Sequence, residues 1–96
     1  MQLLTEDLRR RLPAIGAGAN DPDPLMVCKF FMPDGGWTWY ASEFDGEDIF
    51  FGYVLGAAEE WGTFRLSELS QVRGALGLPV ERDRHFEPCR FEALGL

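Results

Sequence analysis

The chain has one histidine, His85, and two cysteines, Cys28 and Cys89. A single imidazole without a supporting cluster gives neither a metal centre nor a general base. The acids around His85 (Glu81, Asp83 and Glu87) alternate with Arg82 and Arg84 and read as a solvated ladder. Cys89 lies too far along an extended tail to pair with His85, and no Ser-His-Asp set assembles. Gly16-Ala17-Gly18 has no strand before it and no Gly-Lys-Ser/Thr after it, which excludes a phosphate loop. Asp45-Gly46-Glu47-Asp48 lacks the ligand spacing of a calcium loop. No catalytic residue, metal site or cofactor is therefore expected, and the chain reads as a non-enzyme. Two cysteines do not make a disulfide framework. No apolar run approaches a membrane span. Glu6 and Asp7 stand where a secretory signal would be apolar. The expectation is a cytoplasmic protein with reduced thiols and no membrane contact.

What is present is apolar bulk and acidity. Ninety-six residues, 46% hydrophobic, suit one small domain. The 8 Phe, 3 Trp and 2 Tyr are more than a domain of this size readily hides. Either some of them lie on a contact face, or the sheet is covered on both sides. The net charge is -7. Between residues 20 and 70, ten acids face two bases, Lys29 and Arg65, a local charge of −8; the flanks carry six acids and seven bases, or +1. A folded acidic surface of this kind repels phosphate backbones, so direct nucleic-acid binding is not expected. It suits a basic protein or nucleoprotein, although acidity also serves solubility.

The element pattern points to an α+β fold. Thr5 caps a short helix over 5–12, with Leu4, Leu8 and Leu12 on one stripe and Pro13 at its end. Residues 13–24 form a loop. Residues 25–32 form a strand in which only Lys29 is polar; Lys29 either snorkels to an edge or pairs with a hairpin carboxylate. Residues 37–44 and 49–55 form a hairpin around Asp45-Gly46. Trp37, Trp39, Ala41 and Glu43 share one face of its first strand, and Phe44 lies on the other. Gly52 offers a seat for a tryptophan ring. Residues 56–62 form a connection, 63–66 a short strand, and Ser67 caps a helix over about 67–76. The segment 80–88 adds an edge strand, and 89–96 is loosely held. Short turns between successive strands imply an antiparallel β-meander of four to five strands, with the N-terminal helix and the helix near 67–76 packed on one side.

The densest carboxylates, Glu43, Asp45, Glu47 and Asp48, sit at the hairpin tip, where they form either a charged contact or a merely polar turn. Glu59 and Glu60 extend the acidic surface, and Trp37 and Trp39 supply an aromatic contact. These eight residues are the expected partner-binding set. In an alternative reading, Trp37, Trp39, Tyr40 and Tyr53 line a pocket of a small ligand-binding domain or enzyme. A monomer or a weak homodimer that buries the aromatic face fits either reading.

The sequence resembles the bacterial domain-of-unknown-function 2958 family. The matching pieces are Leu4-Thr5, Leu8-Arg9 and Leu12-Pro13; Lys29-Phe30-Phe31 with Pro33; Trp37-Thr38-Trp39-Tyr40; and Glu43 with Asp45-Gly46 and Asp48. They continue with Phe51-Gly52, Phe64, Leu66, Glu68-Leu69, Arg73-Gly74, and Glu81-Arg82-Asp83 with Phe86 and Pro88. Cys28 replaces the usual aliphatic residue before Lys-Phe-Phe. The resemblance carries no activity. It implies a setting, since members are often encoded on plasmids and other mobile elements. Setting and charge together suggest an acidic, non-enzymatic inhibitor of a host nucleic-acid-binding defence complex, of anti-CRISPR or anti-restriction type, acting as a nucleic-acid mimic or surface blocker.

Overall fold

The computed structural model describes residues 1–96. The first element is helix α1, Glu6–Arg11. The Thr5 hydroxyl accepts the Leu8 N–H at 3.2 Å, acids occupy the first turn and arginines the last. This matches the helix dipole at both ends. Leu4 and Leu12 are buried, and Leu8 packs against the same core. The ion pairs of Arg10 and Arg11 with Asp7 are exposed and contribute little.

Seven strands follow: β1 (Leu25–Met26), β2 (Cys28–Phe31), β3 (Thr38–Phe44), β4 (Ile49–Leu55), β5 (Glu59–Arg65), β6 (Glu81–Arg82) and β7 (Cys89–Arg90). A short helix α2, Leu66–Leu69, follows β5, and a 3-10 turn, Phe91–Leu94, follows β7. The main sheet is antiparallel in the order β5-β4-β3-β2-β6, and β1 and β7 form a separate pair. This is the expected α+β meander with an added edge strand. No helix is long and apolar enough to cross a membrane.

Several local expectations are corrected. The run 25–32 is not one strand. It breaks at Val27, so that Met26 pairs with Cys89 while Cys28 pairs with Ala41. Residues 59–62 are not a connection but the first half of β5, held by register pairs from Leu55↔Glu59 to Ile49↔Arg65. Helix α2 spans only four residues and Arg65, not Ser67, is its N-cap residue. Residues 89–96 are not loose: β7 pairs with β1, and the Phe91 ring lies 4.7 Å from both Tyr53 and Trp61. Lys29 pairs with Asp83 on the tail, at 3.7 Å, and not with a hairpin carboxylate.

The phase of β3 also differs. A bulge at Ser42 shifts the register between Ala41↔Gly52 and Glu43↔Phe51. The inserted residue reverses the alternation. Phe44 therefore joins Trp39 and Ala41 in the core, and Glu43 turns to the opposite face. Gly52 receives no tryptophan; a side chain there would collide with the Tyr40 carbonyl. The tryptophan-on-glycine contact occurs instead between Trp37 and Gly56.

Phe50 is the centre of the core, with ring centroids 4.6 Å from Phe44, 5.2 Å from Phe64 and 5.5 Å from Phe30. Leu4, Leu12 and Leu69 join this cluster, so both helices cover the same sheet face. Each fully buried phenylalanine contributes about 1.5–3 kcal/mol. A second aromatic cluster, Phe51, Tyr53, Trp61 and Phe91, occupies the other face. The aromatic excess is thus mostly hidden by covering both faces. Only two aromatic side chains are exposed, Trp37 at 40% and Trp61 at 39%.

Candidate functional site

The carboxylates of the hairpin tip fold the turn before they face solvent. Asp45 Oδ1 accepts the N–H groups of Glu47 and Asp48 at 2.8 Å and of Ile49 at 3.0 Å. These bonds hold its carboxyl below the usual carboxylate range. Gly46 supplies the positive φ of 90° that the turn requires. Asp48 Oδ2 accepts the Ser67 hydroxyl at 2.7 Å, Oδ1 accepts the Ser67 N–H at 2.8 Å, and Arg65 lies 3.6 Å away. Bonds from Ser67, more than the arginine charge, lower the Asp48 pKa. Of the tip acids, only Glu47 is exposed with no side-chain partner.

Glu43 is not on the tip surface. It is 6% exposed, and its carboxylate accepts Gly16 N–H at 2.8 Å and Gly18 N–H at 2.7 Å. The Gly16-Ala17-Gly18 loop does present N–H groups to an anion, but the anion is this carboxylate. Sequence reasoning missed the contact. Its one available signal was a glycine pair capable of offering two amides.

Glu59, Glu60, Trp37 and Trp39 gather at the opposite end of the sheet. The register Ile49↔Arg65 and Leu55↔Glu59 places the tip at one end of β4 and the two glutamates at the other. That separation is roughly 20 Å at about 3.3 Å per residue. Thr38 pairs with Leu55, so Trp37 stands beside the same turn. It lies against Gly56 and stacks on Trp39 at 5.8 Å. Trp39 itself is buried in the core. The eight expected contact residues therefore form two separate groups, with Glu43 and Trp39 inside.

A cleft of roughly 430 Å³ opens on the second sheet face, between the loop 15–24 and the β3–β4–β5 surface. Its walls include Ile15, Pro22, Phe51 and Trp61, with Ser42 and Glu43 at polar positions. It is not lined by Trp37, Trp39, Tyr40 and Tyr53, as the pocket expectation had it. Tyr40 packs on Phe86 at 5.9 Å, under Lys29. Tyr53 bonds Glu59 at 3.4 Å, and desolvation followed by that carboxylate pushes its hydroxyl pKa up. No group of three or more His, Cys, Asp or Glu side chains is arranged to hold a metal ion.

The family model for proteins of unknown function (DUF2958) matches residues 3–91. The chain belongs to the DUF2958 family. No curated protein and no solved structure matches it. The match takes in both acidic groups, the cleft and its covering loop, so each belongs to the DUF2958 domain itself.

Proposed function

We propose that this DUF2958 chain is a non-enzymatic, acidic binding protein of mobile genetic elements. It engages a basic nucleic-acid-binding host complex, of the CRISPR or restriction type, and blocks it by presenting negative charge where nucleic acid would lie. The observation that carries this reading is the grouping of exposed Trp37 with exposed Glu59 and Glu60 at one end of the sheet. A large exposed aromatic suits the centre of a contact, and the two charges suit its polar rim. Neither glutamate forms an ion pair within the chain, so both charges remain available to a basic partner. The hairpin tip contributes Glu47 alone, because Asp45 and Asp48 are held by their own backbone and by Ser67.

The test is capture from a host lysate by the wild type, by Glu59→Lys/Glu60→Lys and by Glu47→Lys, at low and high salt. A nucleic-acid-binding complex recovered at low salt, released by salt and by competing DNA, and lost with the double variant supports the proposal. Equal recovery by the double variant at both salts removes it. The cleft favours a second reading, a small ligand-binding domain.

A further inference from the structure

The cleft joins three features that the fold itself does not require together. Phe51 and Trp61, on neighbouring strands, have ring planes within 15° of each other and centroids 6.0 Å apart, which makes a nearly flat aromatic wall. Trp61 is exposed, whereas Phe51, Tyr53 and Phe91 of its cluster are half-buried. Beside the wall lies Glu43, buried and without a cation: none of the chain's ion pairs includes it. Asp21, the other carboxylate of the cleft, is already paired with Arg90 at 3.2 Å. A carboxylate without a cation partner therefore lines the same space of roughly 430 Å³ as the aromatic wall, near the low end of small-ligand sites.

A buried carboxylate without a counter-charge is costly, and a cation entering the cleft would offset that cost. Each oxygen of Glu43 accepts a single N–H, from Gly16 or Gly18, so each keeps a free lone pair. A planar cation with two parallel donors matches those lone pairs, and its flat face matches the wall. A guanidinium has both properties, whereas an ammonium has neither the plane nor the fork.

We infer that the cleft between loop 15–24 and the Phe51–Trp61 wall is a socket for an arginine side chain of the protein partner, stacked on Trp61 and paired with Glu43. This rests on the reading of the chain as a binder of basic proteins, and it places a recognition point on the sheet face away from the core. Ser42, whose hydroxyl donates to the Phe51 carbonyl at 3.2 Å, keeps acceptor capacity for a remaining guanidinium N–H.

The test is an NMR titration of the isotope-labelled protein with N-acetyl-arginine amide, its neutral citrulline counterpart, the lysine counterpart and free L-arginine. Saturable shifts at the Trp61 indole and at the Gly16 and Gly18 amides are expected with the blocked arginine. Binding is expected to be about tenfold weaker, or absent, with citrulline, and weaker with lysine. Trp61→Ala abolishes the response while the amide spectrum stays dispersed. Glu43→Gln weakens it about tenfold, also in a dispersed spectrum. An equal response to citrulline, or no saturable shift, overturns the socket. Tighter binding of free L-arginine than of the blocked form overturns the assignment to a protein side chain. Shifts centred on Trp37, Glu59 and Glu60 also overturn the socket, yet leave the acidic-surface reading intact. A titration that succeeds while lysate capture fails separates the two in the other direction.

Discussion

Asp48 and Ser67 are joined twice: one carboxylate oxygen of Asp48 accepts the Ser67 N–H at 2.8 Å, and the other accepts its hydroxyl at 2.7 Å. The first turn of α2 is thus capped from the hairpin and not from its own N-cap residue, Arg65, whose side chain makes no cap bond. A side-chain oxygen on an early helix N–H is the usual stabilising cap. Asp48→Ala leaves that N–H without its partner and unties the hairpin from α2. Its melting temperature is expected to fall clearly below that of Glu47→Ala, measured by circular dichroism, since Glu47 is exposed and has no side-chain partner. Equal melting temperatures for the two variants would show that the tip is not structural.

Asp45 gives a pH signature. Its carboxyl lies below the ordinary range because three backbone N–H groups, that of Glu47 foremost, bond the ionised form. The folded pKa is therefore lower than the unfolded value of about 3.9. The resulting stabilisation is present above about pH 4 and is lost as pH falls through the folded value. Asp45→Asn is expected to be less stable than wild type at neutral pH. The gap in urea midpoint should narrow as the pH drops below about 4. A gap that stays constant to pH 2 would remove the charge from the argument.

The legible parts of the fold were those with local causes. Thr5, the acid–base order of α1 and Pro13 mark a helix without reference to the rest of the chain. Asp45-Gly46 fixes the hairpin, and β4 occupies the expected residues, Ile49–Leu55. Strand β5 was not legible. Glu59-Glu60-Trp61-Gly62 has poor strand propensity and weak alternation, and it is extended because β4 offers a ladder. The Ser42 bulge has no local signature, so the faces of Glu43 and Phe44 were exchanged. Glu43 was grouped with the tip because it belongs to the densest run of carboxylates, when its partners are Gly16 and Gly18 in the loop 15–24. The acids of the site were visible by composition, but their roles depended on contacts between distant segments.

Gly52 and Gly62 are direct cross-strand partners with opposite tolerances. A Cβ at Gly52 meets the Tyr40 carbonyl and the Ala41 backbone, neither of which can move without breaking the β3–β4 ladder. At Gly62 nothing lies within 4 Å. Gly52→Ala is expected to destabilise by about 2 kcal/mol or more, in the range of overpacked cores. Gly62→Ala should change stability by less than about 1 kcal/mol, with any gain coming from reduced unfolded-chain freedom. Urea unfolding of both variants tests the pair, and a Gly62→Ala cost as large as that of Gly52→Ala would contradict the open space at Gly62.

The two cysteines should differ in reactivity for a physical reason. Cys28 is buried opposite Ala41, and burial pushes its thiol from 9.0 up to about 12, with Arg82 opposing only in part. Cys89, at the β7–β1 pair, is half-buried. The thiolate is the nucleophile. At pH 8, iodoacetamide should therefore alkylate Cys89 in the native protein and reach Cys28 only after urea unfolding, as read by mass spectrometry. The same shift carries a stability term. The folded pKa lies above the unfolded one, so the contribution is fully present below pH 9.0 and is lost as pH rises through about 12. Cys28→Ala removes that term, and its urea midpoint should fall less steeply than that of the wild type above pH 9.0. Native labelling of Cys28 at the rate of Cys89 would mean that β2 opens readily, and would contradict its place between β3 and β6.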